Sequence, residues 1–152
     1  MKVVSKAMLE KMKDIVKRND LCVLATISEG KPHCSLMSYI ADNECHEIFM
    51  ISHKNTKKYT NLMANPSVSL LIDTRKEDKE GRQAKVKALT VNGEFQNIND
   101  PVQKDLIRTR LLKKHPHLID FINEPCAKIF SIKIKSFQLL DGVKDAYFEK
   151  VD

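Results

Sequence analysis

Apolar positions change rhythm several times along this chain, and each change marks an element. In residues 5–18, Met8, Met12, Ile15 and Val16 fall at i, i+4, i+7 and i+8, one face of a helix. Ser5 stands at its capping position, Lys17 and Arg18 suit its C-terminal dipole end, and Asn19-Asp20 breaks it. Residues 21–28 (LCVLATIS) are β-rich and end in the turn pair Glu29-Gly30. Residues 32–40 resume as a second strand, which predicts a hairpin. Residues 41–45 are turn-like, and 46–52 (HEIFMIS) form a third strand.

The period then becomes helical over residues 55–65, where Tyr59, Leu62 and Met63 recur, Asn55 or Thr56 caps the start, and Asn65-Pro66 ends the run. Residues 67–73 are a fourth strand, apolar enough to be central. Residues 75–83 are almost wholly charged and read as an exposed excursion. Residues 85–96 form a fifth strand, in which Gly93 marks a bulge or a close backbone approach. Asp100-Pro101-Val102-Gln103 is a helix start, with Val102, Leu106 and Leu111 on the buried side. Pro116 interrupts it before a short helix at 117–122. A long strand at 129–140, a turn at Asp141-Gly142 and a last strand at 146–151 complete the chain. This order predicts a mainly β fold, a closed or nearly closed barrel with peripheral helices, as one domain over residues 1–152.

Composition narrows the class. The 152 residues are 42% hydrophobic and 30% charged, as in a soluble globular protein with a real core. No apolar run approaches the roughly 20 residues of a membrane helix, and residues 1–20 lack a signal-peptide core. A cytoplasmic location, with no membrane partner, is the expectation. Cys22, Cys34, Cys45 and Cys126 form no C-x-x-C pair and are expected as free thiols, Cys22 and Cys34 as small buried hydrophobes. The net charge of +6 favours anionic partners: nucleic acid, acidic lipid or a phosphorylated cofactor.

The charge is concentrated where it bears on chemistry. Ser52, His53 and Lys54 leave the third strand, and Thr56, Lys57 and Lys58 open a helix. A helix N-terminus offers free N–H groups and positive potential. Cations there oppose the dipole by roughly 0.3–1 kcal/mol each, so three lysines need either an anion or solvent screening. By charge alone a solvated run is the commoner arrangement. His115-Pro116-His117 has no ligand-spaced partners and reads as two surface histidines; no metal site is predicted. His33-Cys34 and Cys45-His46 are strand neighbours that point to opposite faces, so neither is a thiolate–imidazole couple. Asp73-Thr74-Arg75 ends the fourth strand and has a structural reading ahead of the alternative that it lines a dimer interface.

The stretch LATISEGKPHCSLMSYIADNECHEIFMISHKNTKKYTNLMANPSVSLLI resembles the core of the pyridoxamine 5′-phosphate oxidase-like, FMN-binding split-barrel superfamily, over about a third of the chain. The shared wording runs L-A-T, G-x-P-x, F-x-T/S, K, N-L and N-P-x-V-S-L. The resemblance implies a split β-barrel homodimer holding FMN at the subunit interface. It places Ser52 at the phosphate-binding hydroxyl position and Lys57 and Lys58 at the paired basic positions. It sets Ser35 where the oxidase has an arginine, runs Leu36, Met37 and Ser38 beneath the isoalloxazine, and puts Ile51 beside the ring. His53 and Lys54 fall within reach of the phosphate or ribityl chain. His33 lies on the same strand, as a donor to the flavin edge or as an outward-facing residue.

The implied activity is that of an FMN-dependent oxidoreductase acting on a small-molecule substrate or electron donor, with no catalytic side chain identified. The chain departs from the true oxidase: Ser35 and Ile40 replace its arginine and lysine, tryptophan is absent, and the tail LLDGVKDAYFEKVD has no Arg-x-His. A haem- or tetrapyrrole-binding member of the same barrel superfamily is the alternative, motivated by the histidines. A basic β-barrel binding nucleic acid is a third, disfavoured because aromatics are only 6% of the chain.

Overall fold

Helix α1 (Lys6–Arg18) forms on the predicted stripe: Ser5 Oγ accepts the Met8 N–H, and Met12, Ile15 and Val16 are buried. The computed structural model describes residues 4–74, 87–142 and 145–151. The charged excursion at 75–83 and the first two residues of the predicted fifth strand lie outside the described residues, as does Arg75.

Strands β1 (Leu21–Ser28) and β2 (Lys31–Ser38) pair antiparallel with Ser28 opposite Lys31. The two residues between them, Glu29 and Gly30, have φ of 53° and 72°, the left-handed pair of a type I′ hairpin. The predicted second strand does not run unbroken to residue 40. It stops at Ser38, and a separate strand β3 (Ile40–Ala41) pairs with β4 (Glu47–His53). Tyr39 is the cause. Its ring is fully buried, its hydroxyl donates to the Val16 carbonyl at 2.6 Å, and its N–H donates to the Asp20 carbonyl at 3.2 Å. Its own carbonyl meets His115 Nε2 at 2.8 Å. These anchors bend the chain from one sheet edge to the other.

Helix α2 (Lys57–Ala64) follows, capped by Thr56, then β5 (Ser67–Asp73) and β6 (Lys87–Asn97). Helix α3 (Pro101–Lys114) starts on Asp100, whose Oδ1 accepts the Val102 N–H at 3.0 Å. A 3₁₀ turn and the short α4 (Ile119–Ile122) lead to β7 (Ala127–Asp141) and β8 (Asp145–Lys150). The sheet order is β2-β1-β5-β6-β7-β4-β3, with β8 also on β7. Strand β7 makes this possible by its length: its first half pairs with β4 and its second with β8, while β6 lies along nearly all of it. The register shifts at Asn92/Gly93, and a Cβ on Gly93 would lie 2.5 Å from the Lys133 carbonyl oxygen. The predicted bulge and close approach therefore both occur there.

The main core fills the concave side of the sheet, where Leu24, Leu70, Val91, Phe130 and Phe137 meet α1 and α2. A second cluster joins Ile40, Phe49 and Ile98 to Ile107 and Leu111 of α3. Helix α3 is rotated from the expected face: Leu111 is buried, but Val102 and Leu106 are 68% and 61% exposed. Ile107 and Leu111 also stand four apart, and Ile98 and Phe49 receive that stripe. Among the thiols, Cys22 and Cys45 are buried, whereas Cys34 is exposed on the convex face of β2. His115 is likewise buried, not at the surface, because it serves the Tyr39 carbonyl. The architecture is a mostly antiparallel split half-barrel with peripheral helices. No described helix is long and apolar enough to cross a membrane.

Candidate functional site at the β4–α2 junction

The site begins where the ladder opens. Ile40 pairs with Phe49 and Ala41 with Ile48. Continued past Tyr39, that register would set Ser38 against Ile51 and Met37 against Ser52. The ladder instead ends there, while β2 and β4 remain in contact across the split. Strand β2 is a sheet end, so one of its backbone edges has no strand partner among the described residues.

Ladder partners define which way the β2 side chains face. His33, Ser35 and Met37 oppose Thr26, Leu24 and Cys22, all buried, and share their concave face. Leu36 and Ser38 oppose Val23 and Leu21 on the convex face, where Leu36 is 71% exposed. The expected strip thus offers a continuous backbone edge with side chains divided between two faces. Ile51 is buried and turns towards α3, lining a cleft of about 310 Å³ with Ile129, Arg108 and Lys128.

The β4 exit is a hydrogen-bonded turn. The Thr56 N–H and Oγ1 both donate to the His53 carbonyl, at 3.3 and 2.9 Å. Thr56 Oγ1 also accepts the Tyr59 N–H at 3.3 Å, capping α2. Ser52 is buried and its hydroxyl lies 3.1 Å from Thr56 Oγ1 and 3.2 Å from the His53 carbonyl. Ser52 therefore braces Thr56, and Thr56 is the hydroxyl nearer the surface. Its position directly before Lys57-Lys58 at a helix start was the available signal for it.

Lys57 and Lys58 are the first two helical residues, and their N–H groups have no acceptor among the described residues. No acidic residue stands in the first turn of α2. His53 Nδ1 accepts the Asn55 N–H at 3.2 Å, so a neutral His53 carries its proton on Nε2. Lys54 is exposed, its N–H tied to the Cys126 carbonyl at 2.9 Å. Helix α2 packs across β1 and β2, where Asn61 Nδ2 donates to Thr26 Oγ1 at 3.1 Å. Asn61 Oδ1 is buried with no donor among the described residues, beside the concave face that carries His33 and Ser35.

Two N–H groups without an acceptor among the described residues, an imidazole N–H and two lysines stand at one helix start, near the edge strand β2. That donor set is chemically matched to a phosphorylated ligand with a hydrogen-bonding ring. The fold defines a split β-barrel with peripheral helices. The pyridoxamine 5′-phosphate oxidase family profile matches residues 8–137, and the chain belongs to that family.

Among solved structures, the haem-binding protein of Mycobacterium smegmatis is 16% identical with a TM-score of 0.82, over 97% of this chain and 59% of that one. The present chain thus spans about three fifths of that protein's length. A FAD-binding protein of Mesorhizobium loti is 19% identical with a TM-score of 0.69, over 90% of this chain and 94% of that one. The haem storage protein HutZ of Vibrio cholerae is 16% identical with a TM-score of 0.67, over 92% and 98%. These likenesses share the fold alone. No curated protein matches the chain in sequence.

Proposed function

We propose that this protein is a homodimeric FMN-binding flavoprotein that acts as an oxidoreductase on a small molecule. The observation that carries the reading is the cationic start of α2, which has no acidic residue in its first turn and two free N–H groups. Lys57, Lys58 and the acceptor-free N–H groups of the α2 start would hold the phosphate dianion, Thr56 would fix that helix start as its cap, and the edge of β2 would face the ring. When bound, FMN supplies hydride and electron transfer. His53 favours an anion over haem iron: its Nδ1 already accepts a hydrogen bond, so Nε2 is a donor and not a lone-pair ligand.

The convex face of the sheet supports the dimer. The registers align Leu36, Val23, Leu71, Thr90, Gln138 and Phe148 in one row across six strands. Leu36, Leu71 and Phe148 are 71%, 43% and 40% exposed in the single chain. The exposed apolar members of this row would suit a subunit interface, and the row includes the strand proposed to carry the flavin. Leu36→Lys is expected to shift the mass by light scattering from a dimer to 17.4 kDa, with the circular dichroism of the folded chain retained.

The direct test is an absorbance spectrum followed by FMN titration. A flavin spectrum, with FMN bound more tightly than riboflavin, supports the reading. A protein that leaves FMN fluorescence unchanged, or that gives a Soret band with haem and nothing with FMN, removes it.

A further inference from the structure

A second concentration of positive charge has no part in the β4–α2 site. Lys17 at the end of α1 and Arg110, Lys113 and Lys114 at the end of α3 line a cleft of about 620 Å³ that also includes Ile40 and Asp42. That volume lies within the range of small-molecule sites, about 300–1,000 Å³.

Helix dipoles account for part of this charge, because these cations sit at C-termini. Arg110 Nη2 donates to the Ala41 carbonyl and Lys114 Nζ to the Asn19 carbonyl, each at 2.7 Å. Lys114 also stands 5.1 Å above the Tyr39 ring. Each helix end contributes roughly half a negative charge. Four cations set against two such ends and the Asp42 carboxylate leave a surplus of about two positive charges. Asp20, which acts on Lys114, reduces the surplus without reversing it. Asp42 is itself engaged, accepting the N–H groups of His46 and Glu47 at 2.7 Å each. Lys17 and Lys113 have no carboxylate partner among the described residues. Burial pushes the pKa of Lys114 down, so its charge is held at some cost.

We propose that this cleft between the C-termini of α1 and α3 binds a small phosphorylated anion. The cations arrive from two helices onto one concavity, a geometry suited to a compact dianion. The inference stands independently of FMN binding.

The test is pyrophosphate titration at low salt, followed by ¹H–¹⁵N NMR, on the wild type, K17A/K113A and K57A/K58A. Shifts at residues 40–43 and 110–114 are expected in the wild type and in K57A/K58A. K17A/K113A is expected to bind roughly ten-fold or more weakly, with K17R/K113R restoring affinity and thermal melts showing both variants folded. Equal affinity in K17A/K113A, shifts confined to the α2 start, or no binding would overturn the assignment. So would a single-stranded oligonucleotide bound far more tightly than pyrophosphate through the same residues.

Discussion

The chain carries two lysine clusters of similar composition at opposite ends of helices. Lys57 and Lys58 sit at the N-terminus of α2, where the dipole repels them and no carboxylate stands in the first turn. Lys113 and Lys114 sit at the C-terminus of α3, where the dipole attracts them and Lys114 meets a backbone carbonyl. Charge at a C-terminus contributes to folding without any ligand. Charge at an N-terminus is a standing cost unless an anion or solvent offsets it. The same residue type therefore has opposite meaning according to the direction of the helix beneath it.

The largest effect expected from this contrast is on cofactor affinity. K57A/K58A should weaken FMN binding by roughly 100-fold while leaving riboflavin binding nearly unchanged; K17A/K113A should leave both alone. Fluorescence titration distinguishes the pairs, and equal losses for FMN and riboflavin would show that no phosphate contact was removed.

Next is the alkaline limb of stability. Burial pushes the Cys22 and Cys45 thiols up to about 12, and for Cys45 it prevails although Lys17 and Lys13 pull the other way. The unfolded chain ionises these thiols near 9.0 and so releases protons that the folded chain keeps. Stability is intact below about pH 9 and falls as pH rises towards 12, by on the order of 1 kcal/mol per thiol at pH 10. Denaturant melts at pH 8 and pH 10 measure it. A C22A/C45A variant with an equally steep decline would assign the loss to other groups.

Thr56→Ala removes the cap of α2 and should cost about 1 kcal/mol, read as a lowered urea midpoint. The smallest effect has a sign and little size. Without ligand, K57A/K58A should be stabilised, and K113A destabilised, by about 0.5 kcal/mol. The ordering should shrink in high salt; melts of the same sign for both would end the comparison.

Much of the molecule was legible from pattern. Strands β1 and β5, the Glu29-Gly30 hairpin, the caps Ser5 and Asp100 and the approach at Gly93 all stand where the residues placed them. Each depends on interactions within a few residues or on a backbone allowance that glycine alone supplies. The lysine pair was legible for the same reason, since its helix start lies beside it in the chain. The break at Tyr39, the burial of His115, the exposure of Cys34 and the rotation of α3 were not. Nor was the bracing of Thr56 by Ser52.

Local order thus came from periodicity, capping and turn chemistry, which act between neighbours and can be read residue by residue. The opening of the barrel depended on partners far apart in sequence. Tyr39 parts β2 from β4 because Val16, Asp20 and His115 converge on it from α1, the α1–β1 link and the end of α3. Such convergence exists once the chain is folded, since only then does the His115 ring reach a carbonyl 76 positions away.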